Sequence, residues 1–172
     1  MSFFQRKEIK DVLAYFKLVI NPSDEEALKR VINYPLRGLG KTSMAKIEEL
    51  AMRYQVSMWE VITQEKLMIS AFNKGTVLKI SSFVNLIRGF QKKLKEMEAF
   101  DLAFTIVSDT GILKDLQVDK SPEGVSRYEN LEQLLNGIKE FTDVPEEGIN
   151  TGLTDYLQTV TLYTDADNEK DE

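Results

Sequence analysis

At 172 residues the chain suffices for one domain or two small ones, and it can bury roughly 70% of its unfolded surface without covalent staples. It has no Cys and no His, which removes disulfides, thiolate nucleophiles, thiolate-ligated zinc and the usual neutral-pH general base. The net charge of −6 conceals a split: residues 1–95 carry 17 Lys/Arg against 9 Asp/Glu, residues 96–172 carry 5 against 19, and residues 66–95 hold seven basic side chains and no acid, a hint of nucleic-acid contact or, equally, the solvated faces of helices; the overall acidity argues against an indiscriminate DNA coat and for one local basic face.

Phe3 and Phe4 open an apolar start. Ile9, Val12, Leu13, Phe16, Val19 and Ile20 recur at helical spacing and predict a helix over about 5–20, ended by Asn21-Pro22. Glu8, Lys10 and Asp11, set among Arg6 and Lys7, read as surface pairs. Ser23 with Glu26 reads as a capping box for a short helix that buries Ala27, Leu28, Val31 and Ile32. Pro35 cannot continue it. A third helix, about Ser43 to Tyr54, turns Met44, Ile47, Leu50 and Ala51 inward, and Ser57 with Glu60 caps a further short one. Trp59, flanked by Met58 and Val61, reads as core rather than as a base-stacking platform.

After a turn at Asn73-Lys74-Gly75 comes the longest pattern, about Thr76 to Met97, with Val77, Ile80, Phe83, Val84, Ile87, Phe90 and Leu94 on one side and the basic residues largely on the other. Asp101 is expected to start a helix that Gly111 stops, and Ile112 to Val118 reads as a helical or turn segment. Ser121-Pro122 gives an N-cap and a first-turn proline for a helix through Phe141. Residues Thr142 to Thr151 are expected to form a mobile acidic loop, followed by a helix from about Leu153 to Tyr163. The reading is an all-α, irregular fold of about seven to eight helices, with a helical domain over 1–164 and a disordered acidic linker over 165–172. No apolar run approaches the eighteen or so residues of a membrane span and the first residues lack a leader pattern, so the expected location is cytoplasmic with no membrane partner.

The stretch from Asn33 to Ile47 organises the rest. Two glycines bracket Leu39 between helical patterns, giving helix, tight hairpin, helix. Gly38 and Gly40 permit left-handed angles and close approach, Leu39 plugs the gap between helices, and free N–H groups at a helix start sit beside Lys41 and a hydroxyl. That composition suits a phosphate-sized anion. Gly40-Lys41-Thr42 looks like the tail of a P-loop, but Pro35 stands where the pattern needs glycine and the preceding residues read as helix, not strand. A Gly-rich connection that binds nothing is the plain alternative. Neighbouring carboxylates such as Glu48 and Glu49, or Glu146 and Glu147, point to different faces or to solvent and do not make a catalytic pair.

Several segments together resemble one family. Phe3-Phe4-x-Arg6-x-Glu8-Ile9-Lys10-Asp11-x-Leu13-Ala14-Tyr15-Phe16 is similar to the segment entering the 2B subdomain of UvrD/PcrA/Rep-type superfamily 1 DNA helicases. Arg30-Val31-Ile32-Asn33-x-Pro35-x-Arg37-Gly38-Leu39-Gly40-Lys41-Thr42 resembles that family's helix–hairpin–helix, with Leu39 for the usual isoleucine. Ser126-Arg127-Tyr128-Glu129-Asn130-Leu131-Glu132-Gln133-Leu134 resembles its T-R-x-E-N-L-E-E-L segment, and Leu157 to Asp167 its linker back to the motor. The resemblance implies a fragment excised at the limits of the 2B insertion, with Met1 an added start. It lacks the Walker A and other motor signatures, and so by itself neither hydrolyses ATP nor unwinds DNA. ATP and Mg would belong to the parent helicase, with no catalytic, cofactor or metal residue here. The implied function is non-sequence-specific grip on double-stranded DNA near a single-strand/duplex junction and regulation of unwinding in repair or replication. Contacts are assigned to Arg37, Gly38, Leu39, Gly40, Lys41, Thr42, Ser43 and Lys46. Implied partners are the motor domains of the same parent chain and repair or transcription proteins. The alternative is a helical protein–protein interaction module without DNA contact, using the acidic half and the 142–151 loop.

Overall fold

The computed structural model describes residues 2–171, with side chains as far as Ala166, and the described backbone is helical with no strand. A 3-10 turn at Phe3–Gln5 leads into α1 (Lys7–Ile20), α2 (Glu25–Val31), α3 (Lys41–Tyr54), α4 (Met58–Thr63), α5 (Glu65–Ala71), α6 (Lys74–Lys93), α7 (Ala99–Asp109), α8 (Ile112–Val118), α9 (Pro122–Asp143) and α10 (Leu153–Asp171). These ten α-helices among the described residues exceed the seven to eight expected. The helix absent from the sequence reading is α5, which buries only Met68 and so shows no apolar repeat to detect.

Helix α1 is the hub. Every residue from Asp11 to Phe16 is buried, and the helix touches α2, α6, α7, α9 and α10. Lys7, Lys10 and Lys17 stay exposed along one edge, and most of the rest of the helix is set into the core. Asp11 was read as a surface charge, yet it is only 3% exposed. Its carboxylate is held by Arg30 Nε at 2.7 Å and Lys7 Nζ at 3.0 Å, as a buried charge must be. Two of the segments that carry the family resemblance meet beside it. Arg6 Nη1 donates to Asn130 Oδ1 (2.6 Å) and Asn130 Nδ2 donates to Glu8 Oε1 (2.7 Å), joining α9 to the approach and first turn of α1.

Local signals account for most helix boundaries. Ser121 Oγ accepts from Gly124 N with Pro122 in the first turn of α9, Asn73 Oδ1 caps α6, and Ser57 Oγ caps α4. Gly111, at φ +89, separates α7 from α8. Other boundaries differ from expectation. Asp24, not Ser23, caps α2, because its carboxylate accepts from Ala27 N while the Ser23 amide is drawn to Asn21 Oδ1. Helix α7 begins at Ala99 rather than Asp101, and α6 ends at Lys93 rather than Met97. Helix α9 extends to Asp143, where Thr142 Oγ1 also accepts from Phe100 N, so the acidic connection to α10 is shorter than expected. Helix α10 runs past Tyr163 to Asp171. Of the expected linker 165–172, side chains beyond Ala166 and the whole of Glu172 lie outside the described residues.

Candidate nucleic-acid interface

The corner between α2 and α3 is an exposed protrusion whose shape is set by three internal side chains. Asn33 Oδ1 accepts from both Arg37 N (3.1 Å) and Leu39 N (3.0 Å), which pulls residues 33–39 into a tight loop with a cis Tyr34–Pro35 peptide. Gly38 adopts φ +78, the left-handed region that favours glycine. Leu39 is 2% exposed and packs in the main core, the plug position expected of it.

Arg37 is turned inward. Its Nη1 donates to the carbonyls of Val31 (2.6 Å), Ile32 (2.7 Å) and Tyr34 (3.3 Å), and its Nη2 donates to Tyr15 Oη (2.7 Å). The guanidinium also lies over the Phe83 ring of α6, 4.8 Å from its centroid. It thus satisfies carbonyls that the end of α2 leaves open. The Tyr15 hydroxyl in turn reaches the carbonyls of Val31 and Tyr34. Burial pushes the Tyr15 phenol up from its ordinary pKa, with the nearby Arg37 charge opposing. Arg37 was expected beside a phosphate; its donors are instead spent inside, because four acceptors converge there that the sequence does not reveal.

What remains outward is a set of backbone donors. Helix α3 begins at Lys41, earlier than the hydroxyl residues suggested, with Gly40 as N-cap and no side chain closing the end. Among the described residues, the amides of Gly38, Gly40, Lys41, Thr42 and Ser43 have no protein acceptor, whereas the amide of Leu39 is taken by Asn33. Gly38, Gly40, Lys41 and Thr42 are exposed and Ser43 is half-buried. Lys46 is exposed one turn beyond Thr42 on the same side of α3. Neither Lys41 nor Lys46 is in an ion pair among the described residues, and Glu48 is engaged by Lys29 at 3.6 Å. Five free N–H groups, the positive end of a fourteen-residue helix and unneutralised lysines are the kind of chemistry that suits an oxyanion.

One contributor was missed. Lys79 of α6 reaches over the corner so closely that a Cβ on Gly38 would lie 2.6 Å from its Nζ. The basic run 66–95 signalled α6 as a cationic face, but only the packing of α6 against the corner singles out Lys79. Asn33, whose side-chain oxygen accepts the two loop amides, was legible only as part of the motif. Trp59 is half-buried and packs against the core, as expected. Among the described residues there is no cluster of three or more potential metal ligands, and no helix is long and apolar enough to cross a membrane.

Comparison with known proteins gives a consistent picture. Residues 1–172 match the UvrD-like helicase C-terminal domain. The chain is 35% identical over 171 residues to the ATP-dependent DNA helicase PcrA of Leuconostoc citreum, covering 97% of this chain and 23% of that protein. It is 34% identical over 165 residues to DNA helicase II of Haemophilus influenzae, covering 94% and 22%. Identity is 33% over 172 residues to DNA helicase II of Rickettsia typhi, covering 95% and 26%. The chain spans about a quarter of the length of these curated relatives.

Proposed function

The chain belongs to the UvrD-like helicase C-terminal domain family, and from that premise we propose that it is a 2B-type subdomain that grips duplex DNA for an ATP-dependent helicase. The observation that carries this reading is the group of five unpartnered amides at Gly38, Gly40, Lys41, Thr42 and Ser43, fixed in place by Asn33 and Arg37. Helix α2, the corner and α3 act as a helix–hairpin–helix. Its amides meet phosphate oxygens, the α3 dipole favours the negative charge, and Lys41 and Lys46 add mobile cations. Such contacts position a duplex and read no sequence. Binding is therefore non-specific and weakens steeply with salt. Leu39 and Arg37 serve the grip by shaping the corner rather than by touching DNA. ATP and magnesium belong, in this reading, to motor domains of a parent protein, which are also the module's first partners.

The test is fluorescence anisotropy of a labelled short duplex at low salt. Lys41→Glu weakens binding by charge reversal. Gly40→Asp is more diagnostic. Gly40 has an ordinary φ and open space around it, so an aspartate there can cap α3 and occupy the free amides itself. It raises stability by about 0.5 kcal/mol while lowering DNA affinity. Unchanged affinity in both variants defeats the assignment.

A further inference from the structure

We propose that α6 is the second wall of the duplex site, with Lys79 holding a backbone phosphate beside Gly38 and with Leu36 and Leu78 against the adjoining deoxyribose rings. This rests on the reading of the corner given above. Lys79 is exposed, and among the described residues it has no carboxylate partner. Its helix supplies none, since residues 66–95 contain no acid. Its ammonium nonetheless lies over Gly38, on the rim of the free-amide corner, where it and Lys41 leave positive charge uncompensated.

Next to that ammonium runs a groove of about 440 Å³ between the corner and α6, with Ser82 and Phe83 in its lining. Leu36 on one side is 89% exposed, the most exposed of the large apolar side chains among the described residues, and Leu78 on the other is 60% exposed. Two bare leucines flanking an unneutralised lysine call for a ligand that alternates anionic and apolar groups at short range. A sugar–phosphate strand does so, with deoxyribose carbons between phosphates. Phosphate contacts release counterions and are salt-dependent, while apolar packing is not. The two halves of the proposal therefore separate experimentally.

The experiment is a salt titration of binding to a fluorescein-labelled duplex by the whole chain, by Lys79→Gln, and by Leu36→Ser with Leu78→Ser. Lys139→Gln, on the acidic half and paired with Asp143, is the control. Lys79→Gln is expected to lower the slope of log K against log salt by about 0.9. Between 50 and 200 mM salt, the loss of affinity then shrinks by about 3.5-fold. The leucine pair is expected to weaken binding several-fold at every salt concentration with the slope unchanged, and Lys139→Gln to do neither. If Lys41→Glu weakens binding while Lys79→Gln leaves the slope at its original value, this inference falls and the reading of the corner stands. If the leucine pair leaves affinity intact, the sugar contact is refuted and the groove belongs to another ligand. If the unaltered chain ignores duplex at low salt, the reading of the corner falls and takes this inference with it.

Discussion

Replacing Arg37 discriminates between a residue whose charge is offered to a phosphate and one that only builds the corner between α2 and α3. Arg37→Ala removes four hydrogen bonds, to the carbonyls of Val31, Ile32 and Tyr34 and to the Tyr15 hydroxyl, together with the stacking on Phe83. Hydrogen bonds from a charged group contribute about 1.5–3 kcal/mol singly, but bonds made by one side chain do not add in full, and the site is only partly buried. A loss of about 2–4 kcal/mol is expected, which for a chain of this size lowers the melting temperature by roughly 4–16 °C. Arg37→Lys is the decisive variant. It keeps the charge that a phosphate contact needs but cannot reproduce a planar fork reaching several acceptors at once. Thermal and urea melts are expected to place Arg37→Lys near Arg37→Ala, and the salt slope of duplex binding by the folded fraction is expected to stay unchanged. A lysine variant of original stability, or an alanine variant of original stability with a shallower salt slope, refutes the inward role.

Gly124→Ala and Gly137→Ala lie on the same helix and should move in opposite directions. A Cβ on Gly124 would sit 2.6 Å from the Asp119 carbonyl oxygen and closer still to its carboxyl group, so overpacking costs about 1–3 kcal/mol in urea melts; Gly137 is exposed with open space around it, and alanine there gains about 0.5–1 kcal/mol. Bonds from the Ser121 hydroxyl and amide, and then from Arg127, hold the Asp119 carboxyl below its ordinary pKa. Its contribution to stability is therefore present above the unfolded carboxylate pKa and lost as pH falls through the folded value. Carbon-detected NMR titration should show Asp119 protonating below the usual carboxylate range, and a midpoint at or above 3.8 contradicts the arrangement. Burial raises the phenols of Tyr15, Tyr34 and Tyr156. The folded state then keeps protons that the unfolded chain sheds above pH of about 10, so stability should fall from there upward. Urea midpoints at neutral and alkaline pH check this, and Tyr156→Phe should flatten the decline.

Boundaries set by local chemistry were legible at Ser121-Pro122, Ser57 and Gly111, whereas Asn73, read as part of a turn, proves to be the N-cap of a helix that starts two residues earlier than expected. The Leu39 plug and the exposed lysines of the corner were legible too, because a glycine-bracketed apolar residue between two helical patterns has few other uses. Partners distant in sequence were not. Nothing in the order of residues says that Arg37 will find three carbonyls and a phenol, or that Asp11, in a run of mixed charges, will sink into the core to meet Arg30 nineteen positions away. The same holds for Lys79, one of seven basic side chains in its stretch until packing sets it over Gly38. Short-range rules fix helix limits, whereas the fate of a charge depends on which helices become neighbours.

The deep burial of most of α1 carries a burden during synthesis. Its apolar surface is made well before α9 and α10, which help enclose it and begin at Pro122 and Leu153. At about 5–20 residues per second, translation from the end of α1 to the start of α10 takes roughly 7–27 s. For that interval α1 has only its earlier neighbours for cover, and the face that α9 and α10 will bury stays open to aggregation until they dock.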